Sequence, residues 1–175
     1  MDYVNTRRYG RGFTLIEMMI VLVIVAVVLV LVPPGMAQLS LSTNLKSYSQ
    51  EMMSSAILAR SEAIKRNSPV RLCVSTDGAS CAGAGNWEQG WIVVAADGTV
   101  IKSQQAITPG YRMTGLTATP GGSHTMVFKP SGAASTPSNI KICRQAPEVG
   151  NTERVVRIYA TGRVRVLTTN TGSCA

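Results

Sequence analysis

The sequence is poor in the side chains from which active sites and metal centres are built. Its 175 residues include one histidine, His124, and only nine aspartates and glutamates, against 17 lysines and arginines. A single histidine excludes a histidine-rich metal site, and no Ser-His-Asp set is evident. We therefore expect no enzyme, no metal site and no cofactor, and we favour a function in binding or assembly.

Charged residues are also few, at 15%, and aromatic residues make up 5%, whereas hydrophobic residues reach 45%. So many apolar side chains exclude a chain that is disordered throughout. The length corresponds to one domain with an appendage rather than to two domains. The formal net charge is +8, so basic groups outnumber acidic ones.

The apolar residues are concentrated near the N-terminus, where residues 18–32 form an uninterrupted hydrophobic run. Extended back to Phe13, the stretch has about 20 residues and would span about 30 Å as a helix, which matches a bilayer core. Arg7, Arg8 and Arg11 precede it, so we predict a single-pass segment with its N-terminus in the cytoplasm. No small-residue cleavage site follows the run, which disfavours an ordinary secretory signal.

Glu17 is the only charged residue in this apolar stretch. An ionised carboxylate inside hydrocarbon costs about 2.5–3.5 kcal/mol on insertion scales. Either the carboxylate lies at the headgroup boundary and reaches water, or it has a partner. The physical argument alone leaves both interpretations open.

Residues 11–17, with the sequence Arg-Gly-Phe-Thr-Leu-Ile-Glu, resemble the class III signal of type IV prepilins and pseudopilins. In that family a prepilin peptidase cleaves after the glycine and N-methylates the new first residue. The resemblance therefore implies cleavage between Gly12 and Phe13. It also implies that Glu17, as the fifth residue of the mature chain, pairs with the N-terminal amine of a neighbouring subunit during assembly. Pro34 falls where such pilins kink their long helix.

The same resemblance implies how the whole chain is organised. We expect a prepilin leader at 1–12, a transmembrane and assembly helix at 13–34, an amphipathic continuation of the helix at 35–66, and a β-rich periplasmic or extracellular head at 67–175. The protein would lie in the bacterial inner membrane before assembly and then in an extracellular type IV pilus. Its partners would include the prepilin peptidase and other pilin subunits.

Residues 36–66 have the pattern of an amphipathic helix. Apolar positions recur at spacings of three and four residues and form one stripe, as expected for a helix that lies across a sheet. The stripe comprises Leu41, Leu45, Tyr48, Met52, Ala56, Ala59 and Ala63. The sequence Asn-Ser-Pro at 67–69 ends the helix. Residues 59–64 and 87–94 resemble the helix end and a strand of the GspH/FimT branch of minor pilins.

Beyond Pro69 the hydrophobic period changes to two, which is typical of strands. Strands are predicted at 70–74, 90–95, 99–103, 125–129 and 140–144, with a hairpin at 155–167. Residues 115–139 are rich in Gly, Ser, Thr and Pro, so we predict an irregular connection that contains one strand around 126–128. The predicted class is α+β: a type IV pilin fold with its long N-terminal helix packed on an antiparallel sheet that carries disulfides.

The four cysteines all lie on the side that we place outside the membrane, where disulfides persist. Zinc is disfavoured because no Cys-x-x-Cys is present and no histidine flanks any cysteine. Three pairings are possible. We prefer Cys73–Cys81, which closes a local loop, together with Cys143–Cys174, which ties down the C-terminal tail.

Residues 154–166, with the sequence RVVRIYATGRVRV, have the pattern of a β-hairpin. A two-residue turn would place Ile158 opposite Arg165 and mix apolar and charged side chains on one face. A three-residue loop with a left-handed Gly162 instead pairs Arg157 with Arg165 and keeps the faces distinct, so we adopt that register. It directs Val156, Ile158, Val164 and Val166 to the core, and Arg157, Tyr159, Arg163 and Arg165 to solvent.

Arg157 opposite Arg165 is a like-charge cross-strand pair, which destabilises a sheet unless an anion lies nearby. From Lys141 onward there are six basic residues against two acidic ones. Arginine forks suit phosphate, and Tyr159 offers a surface on which a base could stack. Residues 162–165, Gly-Arg-Val-Arg, also resemble the Gly-Arg-x-Arg motif of FimT-like DNA-uptake pilins.

These observations predict a DNA-binding site for uptake in natural transformation. Its candidate residues are Lys141, Arg144, Arg157, Tyr159, Arg163 and Arg165. Binding would be largely independent of sequence, because contacts to phosphates do not read bases. The alternative is a purely structural minor pilin or type II secretion pseudopilin that primes or caps a filament. In that case the arginines are solvated or pair with acidic residues of adjacent subunits.

Overall fold

A computed structural model of the chain describes residues 12–31, 33–116, 124–145, 153–169 and 174. The chain divides into two compact units, Met1–Leu39 and Ser40–Ala175. Helix α1, Leu15–Leu31, lies in the first unit, and helix α2, Pro33–Lys65, begins there and continues into the second. The prediction placed the amphipathic helix from residue 35, but α2 starts at Pro33, because proline is tolerated in the first turn of a helix.

Helix α1 begins after Thr14, whose side-chain oxygen accepts a hydrogen bond from the Glu17 N–H at 3.3 Å. This is the arrangement of a helix N-cap with an acidic residue three positions later. The side chains from Phe13 to Leu29 are all exposed in this unit. Within the part of the chain that the structure describes, no helix is both long and apolar enough to cross a membrane.

The predicted apolar stripe of α2 is confirmed in the second unit. Leu45, Met52 and three alanines are buried, while Leu41 and Tyr48 pack partly buried against the same core. The helix ends at Lys65, and just beyond it Asn67 adopts a left-handed φ of 48° while the Ser68 N–H bonds to the Ala63 carbonyl. Such a left-handed residue closes a helix by satisfying its last carbonyls.

The described residues of the second unit include eight strands, which form two antiparallel sheets where the sequence predicted one. The first sheet has the order β3-β2-β1-β5, and the second has the order β4-β6-β7-β8. The strands are β1 Val70–Val74, β2 Trp91–Ala95, β3 Val100–Gln104, β4 Tyr111–Leu116, β5 Thr125–Phe128, β6 Ser138–Arg144, β7 Glu153–Ile158 and β8 Val164–Thr169. Strand β4 was not predicted, because its Met-Thr-Gly-Leu stretch runs into a Gly- and Thr-rich segment that conceals the alternation.

One hydrophobic core joins α2 to the inner faces of both sheets. Trp87, in a short 3-10 helix at Trp87–Gln89, and Trp91 on β2 are both buried. The Trp91 indole N–H donates to the Ser55 hydroxyl of α2 at 3.0 Å, so the polar end of this large side chain is satisfied inside the core.

The two disulfides are Cys73–Cys81 and Cys143–Cys174, which is the pairing preferred from the sequence. Cys73 packs with Ile92 and Val94 in a small cluster of its own, so the first disulfide fastens the 75–80 loop to β1. The second joins the tail beyond β8 to β6, two strands away in the sheet. Each closes a loop in a small head and limits its unfolded ensemble.

Candidate nucleic-acid interface

The β7–β8 hairpin adopts the three-residue loop that the sequence favoured. Arg157 pairs with Arg165 and Ile158 with Val164, and the Tyr159 N–H donates to the Arg163 carbonyl at 2.9 Å. Gly162 has a φ of 76°, the left-handed conformation that this loop requires. The register with a two-residue turn is therefore wrong.

The two faces of the hairpin separate as this register predicts. Val156 and Ile158 are buried, and Val164 and Val166 pack partly buried against the core. The opposite face carries Tyr159, which is half-buried, and three exposed arginines. We call Arg157, Tyr159, Arg163 and Arg165 the arginine face.

The tip of the hairpin is held by the loop that follows β5. The Ala134 N–H donates to the Ala160 carbonyl at 3.0 Å. A Cβ at Gly162 would lie 1.9 Å from the Gly132 carbonyl oxygen and 3.0 Å from the Arg60 Nε of α2. Glycine is therefore required at position 162 for close approach as well as for its φ. The arginine face thus extends from a hairpin whose turn is packed and hydrogen-bonded.

No carboxylate of the described residues pairs with the arginine face. The described acidic side chains of the second unit are all engaged elsewhere: Glu51 with Lys102, Glu62 with Lys65 and Arg66, Glu88 with Arg112, Glu153 with Lys141, Asp77 with its own loop and Asp97 with the Thr99 N–H. The hydrogen bond from Arg66 is strong enough to lower the pKa of the Glu62 carboxyl. The three arginines therefore present uncompensated positive charge among the described side chains.

Among the described residues, one neutral side chain is hydrogen-bonded to an arginine of the face. Asn139 on β6 pairs with Arg157 on β7, and its Oδ1 accepts a hydrogen bond from the Arg157 Nε at 3.0 Å. Sequence reasoning missed Asn139, because its neighbourhood arises only from the long-range pairing of β6 with β7.

Lys141, which the sequence placed in the DNA-binding set, does not belong there. Its side chain is only 11% exposed, and its Nζ lies 3.7 Å from a Glu153 carboxylate oxygen that is itself in a side chain 10% exposed. Clustering in sequence suggested a free cation, but Lys141 lies on the same strand face as Glu153, so the structure makes it a buried ion-pair partner.

Arg144 is also separated from the arginine face. It lies five residues beyond Asn139 on β6, about 17 Å along a strand, and the odd spacing directs it to the opposite side of the sheet. There its guanidinium stacks 4.8 Å from the centre of the Tyr111 ring. The predicted six-residue set therefore reduces to four residues on one surface.

The N-terminal candidates lie in the first unit. Gly12 and Phe13 precede α1 and are exposed, and Glu17 lies exposed in its first turn. Among the described residues, no group of three or more His, Cys, Asp or Glu side chains could hold a metal ion.

Comparison with known protein families supplies the identity of the chain. The family model described as type II transport protein GspH matches residues 49–162, which is more than half of the chain. The chain belongs to the GspH family. A second model, the prokaryotic N-terminal methylation motif, matches residues 7–33, a range that includes Gly12, Phe13 and Glu17.

Solved structures show the same fold as this GspH-family chain. The type IV minor pilin FimU of Pseudomonas aeruginosa is 19% identical with a TM-score of 0.55, over 76% of this chain and 96% of that one. The minor pseudopilin EpsH from the type 2 secretion system of Vibrio cholerae is 17% identical with a TM-score of 0.51, over 71% and 97%. No curated protein sequence matches the chain. The chain therefore combines membership of the GspH family with the fold seen in these type IV pilins and pseudopilins.

Proposed function

We propose that this GspH-family protein is a minor pilin that binds extracellular DNA, largely independently of sequence, for uptake in natural transformation. The observation that carries the proposal is the arginine face: three exposed arginines and a tyrosine on one packed hairpin, with no carboxylate of the described residues paired to them. A cross-strand pair of like charges weakens a sheet in the absence of an anion. A bound phosphate would relieve the repulsion between Arg157 and Arg165.

The chemistry of the face suits a nucleic-acid backbone. Arginine donates two parallel hydrogen bonds to phosphate, and three guanidinium groups on one hairpin can engage neighbouring phosphates. Tyr159 lies two residues from Arg157 on the same strand side, where its ring could stack on an unpaired base. The face is a sheet surface without a groove-reading helix, so its contacts would position DNA rather than read its sequence.

The N-terminal unit supports assembly into a filament. We propose that the prepilin peptidase cleaves between Gly12 and Phe13, that residues 13–34 hold the protein in the inner membrane with its N-terminus in the cytoplasm, and that Glu17 then pairs with the N-terminal amine of another subunit. The exposed apolar side chains of α1 support this, because a surface of that kind needs lipid or protein to cover it.

A purely structural role in a pilus or a type II secretion system is the second candidate. It is favoured by the family's description and by the fold shared with EpsH. In that role the arginine face would contact acidic residues of an adjacent subunit. The two candidates differ in what the loss of the arginines impairs.

The experiment replaces Arg163 and Arg165 with Gln in the cells that make the protein. DNA uptake should fall while piliation stays normal, because both side chains are exposed and neither forms an ion pair with a described carboxylate. Arg71→Gln is the control for loss of an exposed arginine, since it removes one positive charge, half of that lost in the double variant, from a strand position in the other sheet. Lost piliation in the double variant, or unchanged uptake, would favour the structural role.

A further inference from the structure

Asn139 is the one neutral polar side chain that the structure joins to the arginine face among the residues it describes. It lies on β6 directly beside Arg157 of β7, which in turn lies beside Arg165 of β8. The hydrogen bond from Arg157 Nε to Asn139 Oδ1 is 3.0 Å long. Asn139, Arg157 and Arg165 thus form one row across three strands.

This bond determines which part of the Arg157 guanidinium is available. A guanidinium has five N–H donors, and the one on Nε is occupied by Asn139. The end formed by Nη1 and Nη2 keeps its donors for a ligand, in the geometry of a bidentate fork. The bond also draws the group towards β6, away from Arg165 on the other side of β7, which lessens the repulsion between the two cations.

The group that accepts the hydrogen bond from Arg157 is the neutral amide of Asn139 rather than a carboxylate, so the positive charge of Arg157 is not cancelled. An aspartate at 139 would pair with Arg157 and cancel its charge, as Glu153 does for Lys141 two positions along the strand. An asparagine orders the guanidinium and leaves its full charge for a phosphate.

We propose that Asn139 is a positioning residue of the DNA-binding face, which holds the Arg157 fork ready for a phosphate. The proposal rests on the DNA-binding function proposed above. A long side chain that is already ordered loses less conformational freedom when it binds. Asn139 therefore raises the affinity for DNA through Arg157 and not through its own contribution to folding.

The test measures binding of the full-length protein, in a non-ionic detergent, to a short duplex DNA of random sequence. Asn139→Ala should weaken binding roughly fivefold, the effect of one long side chain that the ligand must now order. The slope of log K against log salt should stay unchanged, because Arg157 keeps its charge. Asn139→Asp should weaken binding further, because the aspartate cancels the charge of Arg157 and one phosphate contact is lost. The slope should then be less negative by about 0.9.

Two comparisons separate positioning from a general structural effect. Asn44→Ala is the matched control, since it removes another amide hydrogen bond of the head, that from Asn44 Nδ2 to the Tyr111 hydroxyl at 3.2 Å. It should leave DNA affinity unchanged. In an Arg157→Gln background, Asn139→Ala should have no further effect on affinity, because the guanidinium that Asn139 orients is then absent.

The outcomes distinguish this inference from the function on which it rests. If the wild-type protein does not bind DNA, the proposed function itself is wrong. If the wild type binds and Arg157→Gln weakens binding, but Asn139→Ala has no effect, the positioning role is wrong and DNA binding stands. An equal loss from Asn139→Ala with and without Arg157 would also overturn the positioning role.

Discussion

At the scale of single residues, Gly162 determines how the arginine face is presented. Its φ of 76° disfavours any side chain, and a Cβ there would meet the Gly132 carbonyl at 1.9 Å. Two separate constraints therefore act on one residue: the left-handed conformation of the loop and the contact between two turns.

These constraints predict the result of Gly162→Ala. The substitution should lower the free energy of unfolding by about 3 kcal/mol or more, because backbone strain adds to a clash that side-chain movement cannot relieve. Gly98→Ala is the matched control, since Gly98 has a φ of 88° but an added Cβ would meet no atom within 4 Å. It should cost only about 1 kcal/mol, measured by denaturant unfolding. Equal losses in the free energy of unfolding for Gly162→Ala and Gly98→Ala would show that the turns at Gly162 and Gly132 are not in contact.

Asp77 organises the disulfide-closed loop through its carboxylate. It accepts hydrogen bonds from the Ser80 hydroxyl at 2.6 Å, from the N–H groups of Ala79 and Ser80, and from the Ser75 hydroxyl at 2.9 Å. These bonds, led by that from the Ser80 side chain, hold the pKa of Asp77 well below its usual range. The ionised form is therefore favoured by the folded state.

A carboxyl whose pKa is lowered by folding stabilises the folded state at neutral pH, and this stabilisation is lost in acid. Wild type should exceed Asp77→Asn in Tm at pH 7. The difference should shrink as the pH falls below about 4, where the carboxyl of the unfolded chain begins to bind protons. Thermal unfolding of both proteins across this range is the measurement. A Tm difference that is constant with pH would mean that the charge of Asp77 is not what the loop requires.

At the scale of elements, the disulfides fasten a loop and a tail that secondary structure alone leaves loose. Cys73–Cys81 and Cys143–Cys174 include all four cysteines, and none is free. Alkylation of native protein without reduction should then add no label, as measured by intact mass. Stoichiometric labelling of Cys143 and Cys174 would contradict the proposed fastening of the tail.

Elements with a strong local pattern could be predicted from the sequence. The α2 stripe has a clear helical period, and the β7–β8 hairpin has one register that separates apolar from charged side chains, so both were found. The division into two sheets could not be predicted, because it depends on which distant strands pair. Long-range pairing also explains why Lys141 and Arg144 were assigned to the arginine face although they do not lie on it. Both are near the hairpin in sequence, but Lys141 is paired with Glu153, and Arg144 lies on the opposite side of the sheet because of its position along β6.

At the scale of the whole molecule, the two ends of the chain carry different parts of the proposed function. The N-terminal methylation motif at 7–33 concerns processing and assembly, while the arginine face lies near the C-terminus of the head. Loss of one part should leave the other in place, which makes the two separately testable.

Processing is tested on protein from cells that contain the prepilin peptidase. The mature chain should begin at Phe13 and carry an N-methyl group, because the proposed cleavage between Gly12 and Phe13 falls within the methylation motif at 7–33. Intact mass and N-terminal analysis determine the start. A mature start beyond residue 32 would show instead that the apolar run is removed as a secretory signal.

The salt dependence of DNA binding tests the central claim most directly, because it counts the phosphates that the face neutralises. With Arg157, Arg163 and Arg165 each engaging one phosphate, the slope of log K against log salt on duplex DNA should be about −2.7, and binding should weaken roughly 40-fold between about 50 and 200 mM salt. Replacing Arg163 and Arg165 with Gln should bring the slope to about −0.9. The same slope and affinity in wild type and double variant would contradict the account, since the arginine face would then take no part in binding DNA.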